Sequence, residues 1–184
     1  MDTENGALRF SQAHARYRLI RTVSFQEATA AGTQAGLSPR ARMTDITSQA
    51  LAAWRLSWTG HHWTGEGGFP WDMISRRYRQ KPRAFHAAVW HSSTLCGLAA
   101  GWVSAGRENV TLHYMESAPD TFHPLRGEIT YLVFTAAEFY ARALGVRRLV
   151  LRNPLPGVRD RYRSFGFSLA LEERGNVYYY KEIT

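Results

Sequence analysis

Between residues 127 and 144 apolar side chains recur every three or four positions. Ile129, Leu132, Val133, Ala136, Ala137, Tyr140 and Leu144 share one face, and Gly145 follows. That 3.6-residue period predicts an amphipathic helix over 127–144, stopped by the glycine. Residues 84–91 and 94–104 read instead as strands joined at Ser92-Ser93, the second almost continuously apolar, as a strand covered on both faces should be. A turn over 105–109 leads into a third strand, 110–116. Past the helix, 146–152 reads as a buried strand and 156–165 as a short helix closed by Gly166. Residues 167–171 and 177–183 then pair as a hairpin around Arg174-Gly175-Asn176. This order predicts an α+β (α/β mixed) domain built on one mixed sheet.

The first third is less regular. Residues 16–23 alternate weakly, as an edge strand does, and 26–35 has the length of a short helix before the turn Gly36-Leu37-Ser38-Pro39. Ile46, Ala50, Leu51, Trp54 and Trp58 predict a helix over 43–58 with Thr44 or Asp45 as its N-cap. A loop over 59–70 precedes a basic helix, 72–80, which must end before Lys81-Pro82. Residues 1–42 are thus expected to be an extension packed on a domain spanning 43–184.

Composition narrows the classes. A chain of 184 residues with 45% hydrophobic and 13% aromatic side chains forms one cored domain and is not disordered. No run approaches the roughly 20 apolar residues that cross a bilayer, and the first residues lack a secretory pattern, so a cytoplasmic protein without a membrane partner is expected. The lone Cys96 sits in an apolar strand and reads as a small hydrophobe. Adjacent His61 and His62 point apart in any regular element and have no cysteine or carboxylate at zinc-ligand spacing, so no metal is expected. Trp58, Trp63, Phe69 and Trp71 read as a substrate-side wall or as an ordinary apolar plug. Ser92-Ser93 lacks the His/Asp partners of a hydrolase. The net charge of +8 favours acidic partners. Arginine clusters at Arg142, Arg147, Arg148, Arg152, Arg159, Arg161 and Arg163, and again at Arg76, Arg77, Arg79 and Arg83 beside Lys81.

The segment from Ala136 to Leu151, followed by Tyr162-Arg163-Ser164-Phe165-Gly166-Phe167, resembles the GNAT N-acetyltransferase superfamily over roughly residues 84–181. The Tyr-x-x-x-Gly-Phe ending after helix, strand and helix is its most specific part. The resemblance implies a single GNAT-like domain with a mostly antiparallel central sheet flanked by helices. It also implies acetyl-CoA as cofactor and transfer of an acetyl group to a primary amine by direct attack. The pyrophosphate would lie on the loop Leu125-Arg126-Gly127-Glu128-Ile129-Thr130, where helix N–H groups and the dipole favour an anion. The pantetheine arm would enter a splay between strands 110–116 and 146–152. Two loop positions depart from the family pattern. Pro124 stands where Arg or Gln leads, and Ile129 stands where a second small residue is usual, so its branched side chain is expected to crowd the pyrophosphate. Leu155 replaces a polar residue at the start of the last helix.

Amine acetylation needs a base for the amine and an acid for the leaving thiolate. By the resemblance, Tyr162 is the candidate acid. Glu116, at a strand end facing a cleft, is the candidate base. His113 and Tyr114, on opposite faces by the period of two, are substitutes for it, His113 having the better pKa. The acceptor is expected to be a small-molecule or peptide amine, with an acidic one favoured by the charge. Two alternatives stay open. One is a GNAT-fold binding or regulatory protein whose loop no longer supports turnover. The other is an acetyltransferase for a tRNA- or nucleic-acid-linked amine, which needs the arginines on one continuous face. A homodimer is compatible with all three.

Overall fold

The computed structural model describes residues 2–61 and 67–184. His62 and Trp63, named above, lie outside them. Among these residues one seven-stranded sheet runs in the order β1-β2-β3-β4-β5-β7-β6. Its strands are β1 (Ala41–Thr44), β2 (Ala84–His91), β3 (Thr94–Val103), β4 (Asn109–Ser117), β5 (Arg148–Arg152), β6 (Ser168–Glu173) and β7 (Asn176–Glu182). Every pairing is antiparallel except β4 with β5. The helices are α1 (Asp2–Gln34), α2 (Ser48–Ser57), α3 (Trp71–Arg79), α4 (Ile129–Ala143) and α5 (Arg159–Ser164), the last led by a 3-10 turn, Pro156–Val158. The mixed, mostly antiparallel sheet with flanking helices is the one expected.

Two cores sit on the two faces. On one, α4 and α1 bury Leu132, Val133, Phe134, Tyr140 and Phe25 against Phe85, Val89, Val110 and Leu149. On the other, α2 and α3 bury Leu51, Trp58, Trp71, Ile74 and Tyr78 against Trp90 and Leu98.

The N-terminal third departs from expectation twice. Residues 16–23 are part of the continuous helix α1, not an edge strand. Ile20, Arg21, Ser24, Phe25, Ala28 and Gly32 form its inward stripe at helical spacing, whereas Leu19 is 65% exposed. A stripe that buries an arginine and a serine while leaving a leucine outside gives no apolar period. The helix expected over 43–58 is β1 followed by α2. Thr44 accepts a hydrogen bond from Trp90 Nε1 (3.0 Å), and the N-cap is Thr47, whose hydroxyl accepts from Ala50 N–H (3.3 Å). Asp45 is held instead by Arg21 (2.7 Å). The boundary drawn at residue 42 falls inside β1.

Candidate functional site

The central parallel pair is short. β4 and β5 match only from Asn109 to Leu112 against Arg148 to Leu151, and beyond that they separate. The separation starts at a bulge. Ala100 faces Tyr114 while Gly101 faces Leu112, which leaves His113 as the extra residue of β4. Gly101 permits this, since a Cβ there would lie 2.2 Å from the Thr111 carbonyl oxygen. The parted strands open a cavity of ≈ 100 Å³ lined by His113 and Tyr114 from β4, Arg152 from β5, Phe134 from α4, Leu155 and Tyr162. The expected splay is therefore present. His113 and Tyr114 are not on opposite sides of it, because the bulge breaks the alternation; their ring centres are 6.5 Å apart and both line the cavity.

His113 packs 4.2 Å from the Trp102 ring, and its buried Nδ1 has no partner among the described residues. Burial, then the charges of Arg152, Arg77 and Lys81, pushes its pKa down to about 4, so the ring is neutral near pH 7. Tyr162 stands edge-on to Phe134 at 5.4 Å, and burial raises its pKa, keeping the phenol protonated. Both groups thus line one cavity, His113 as a neutral ring and Tyr162 as a protonated phenol.

Glu116 lies elsewhere. It is 5% exposed, and its two oxygens accept the Gly68 backbone N–H and the Trp71 indole N–H. Burial raises its pKa despite those two donors. It does not line the cavity, and its geometry is that of a clamp. By tying down Gly68 and Trp71 it fixes Phe69, which stands 5.3 Å from Tyr114 and forms part of the cavity wall.

The loop before α4 carries the anion-binding features. Gly127 has φ +84, open only to glycine at little cost, and a Cβ there would meet nothing within 4 Å. The first turn of α4 leaves its N–H groups without helical partners, the first intrahelical bond being from Leu132 to Glu128. Arg126 is exposed beside it, and Thr130 is half-buried. Glu128 is turned away, accepting from Ser38 N–H (3.1 Å), and Leu125 is a core side chain that offers only backbone here.

Ile129 does not crowd this loop. Its side chain is buried against β3, so close that a Cβ on Gly97 would meet Ile129 Cγ2 at 2.7 Å. Its Cβ direction follows from the helical position, which turns the branch toward the sheet and leaves the backbone facing outward. Pro124 is exposed. Arg161, one of the arginines clustered over 142–163, reaches from α5 to the Gly127 carbonyl and adds a cation at the loop, a contact that no spacing in the sequence singles out from the rest of the cluster.

The arginines of 142–163 do not form one face. Arg148, paired to Glu182 (2.7 Å), stands at one end of β5, and Arg152, bonded to Asn176, stands at the other. Arg142 binds the Thr184 carbonyl and Arg163 pairs with Asp160. Among the described residues no group of three or more His, Cys, Asp or Glu side chains has a metal-holding arrangement, and no helix is long and apolar enough to cross a membrane.

No protein-family model matches the sequence, and no curated protein sequence matches it. Solved structures do match the fold. The ribosomal-protein-S18-alanine N-acetyltransferase from Escherichia coli superposes with a TM-score of 0.57 at 16% identity, covering 78% of this chain and 94% of that one. The aminoglycoside 6'-N-acetyltransferase from Enterococcus faecium gives 0.57 at 12% identity, over 77% and 97% of the two chains. The PaiA N-acetyltransferase from Thermoplasma acidophilum, solved in complex with coenzyme A, gives 0.53 at 12%, over 77% and 98%. This chain has the GNAT acetyltransferase fold.

Proposed function

We propose that this protein is an acetyl-CoA-dependent N-acetyltransferase acting on a primary amine that carries an anionic group. One observation supports the reading: His113 and Tyr162 line the cavity of the β4–β5 splay, walled by Phe134 of α4, the helix whose first-turn N–H groups are free to hold phosphate. When bound, acetyl-CoA supplies a thioester carbonyl for attack by the amine and a sulfur that leaves as thiolate. The loop 125–130 would hold the pyrophosphate through the free N–H groups of α4, with Arg126 and Arg161 adding charge. As the amine nitrogen bonds to the carbonyl carbon and the C–S bond breaks, His113 takes the amine proton and Tyr162 gives its proton to the sulfur. Solvent then resets both groups. Glu116 is a positioning residue for the acceptor wall.

The charges around His113 bear on the acceptor. Burial first, and then the charges of Arg152, Arg77 and Lys81, hold its pKa low, and a bound carboxylate or phosphate near those cations would offset their part and raise it. An acidic amine, small or at the end of a peptide, thus activates its own base. Ile129 turned to the core weighs against a disabled loop, and the division of the 142–163 arginines between the sheet ends weighs against a nucleic-acid face there.

The test is thiol release from acetyl-CoA across a panel of amines with and without carboxylates. Acidic amines are expected to give kcat/KM at least about tenfold above neutral analogues, a preference that Arg152→Gln reduces. Bound coenzyme with no amine-dependent release from any member would overturn the reading.

A further inference from the structure

A second cavity, of ≈ 460 Å³, lies away from the splay and shares no lining residue with it. It forms where α1 crosses the edge of the domain. His14, Arg18 and Arg21 enter it from one stripe of α1, Asp45 and Thr47 from the β1–α2 junction, Arg79 and Lys81 from the end of α3, and His86 from β2.

Part of this cluster is internally satisfied. Arg21 grips both oxygens of Asp45 (2.7 and 2.9 Å) and donates to the Ala84 carbonyl (3.0 Å). Asp45 is the one carboxylate among the described lining residues, and that pair neutralises it. Arg18, Arg79 and Lys81 are left with no carboxylate partner among the described residues, although Lys81 also sits 3.7 Å over the Trp102 ring. The His86 side chain is 8% exposed, and its Nδ1 accepts the Ile46 N–H (3.2 Å). A ring that accepts at Nδ1 carries its proton on Nε2, so it presents a donor. His14, also in the lining, has a buried Nε2 with no partner.

Three cations without a carboxylate partner and two imidazoles around one hollow ask for negative charge that the described residues do not supply. We propose that this cavity is a second ligand site for a phosphate dianion, free or as the phosphomonoester of a small metabolite. Arg18 and Arg79 are its principal contacts. The bound group bridges α1 and α3, and so fastens the N-terminal helix to the domain. The proposal stands independently of the transferase reading.

The experiment follows thermal unfolding of the full chain against inorganic phosphate, with ionic strength held by chloride. Saturating coenzyme A is included in a parallel series. A saturable rise in Tm is expected, because a ligand of the folded state alone stabilises it by mass action. Arg18→Gln with Arg79→Gln, both exposed positions, should weaken the phosphate affinity about tenfold or more, and Arg126→Gln should leave it unchanged. No rise beyond that in chloride overturns the site, as does a rise abolished by Arg126→Gln and kept by the double variant. If coenzyme A itself fails to bind, the double variant still decides this proposal. Glycerol phosphate then separates the sources. Tighter binding than phosphate points to a phosphomonoester and equal binding to the free ion, and both require the site.

Discussion

The contact between Ile129 and Gly97 decides how the phosphate loop is built, and it can be tested by a double-mutant cycle. A methyl group on Gly97 would stand 2.7 Å from Ile129 Cγ2 and 3.0 Å from Cδ1. Ile129 is β-branched, helical and buried, so it has no alternative rotamer to retreat into. Gly97→Ala alone should therefore overpack the core and cost about 2 kcal/mol. For a domain of this size that is a fall in Tm of roughly 4–8 °C. Ile129→Ala should cost about 3 kcal/mol through lost burial and the cavity left behind. In the double variant the new methyl fills part of that cavity. Gly97→Ala should then be near neutral on the Ile129→Ala background, a coupling of about 1–2 kcal/mol. Urea unfolding followed by tryptophan fluorescence reads all four corners. Acetyl-CoA affinity, measured on folded protein, should change little across the cycle. Additive stabilities, or a large gain in coenzyme affinity from Ile129→Ala, would place the side chain in the loop mouth and refute the packing argument.

Other outcomes follow from single groups. Tyr162→Phe should lower kcat about 100-fold, the range for loss of one general acid, with the acetyl-CoA Kd nearly unchanged; a parallel loss of binding would remove the acid role. Glu116→Gln turns an amide N–H₂ toward one of two N–H donors, so it should cost about 1–3 kcal/mol and raise the acceptor KM more than it lowers kcat. Gly101→Ala sets a methyl against a backbone carbonyl that cannot yield, so it should part β3 from β4 and cost more than Gly97→Ala in denaturant unfolding. Burial holds the His86 pKa at about 4, with Asp45 opposing the shift and Arg21, Arg79 and His14 adding to it. The unfolded chain takes this proton below pH 6.5 and the folded one refuses it. Stability should therefore fall by up to about 3 kcal/mol between pH 6.5 and 4, and His86→Asn should flatten that slope.

The second half of the chain was legible because its elements obey one period each. The α4 stripe from Ile129 to Leu144 and the apolar runs of β2, β3 and β5 follow directly from burial on known faces. The first third was obscure for a physical reason: α1 is held by Arg21–Asp45 and by small residues such as Ala28, not by a band of large apolar ones. At the site, the splay and the interest in Tyr162 came from the family resemblance, not from the periodicity of the residues. The bulge was legible in neither, since it depends on Gly101 approaching Thr111 across two strands. That single irregularity brings His113 and Tyr114 to one cavity. The carboxylate of Glu116 looked like a base from its place at a strand end, but its two donors come from Gly68 and from Trp71 at the start of α3, 48 and 45 residues upstream.

Calorimetric titration of the intact protein with acetyl-CoA decides whether the α4 loop and the β4–β5 splay bind it. At moderate salt, where charge alone is screened, saturable micromolar binding at one site is expected, weakened by Arg126→Gln with Arg161→Gln. Absence of saturable binding, or binding indifferent to both substitutions, would contradict it.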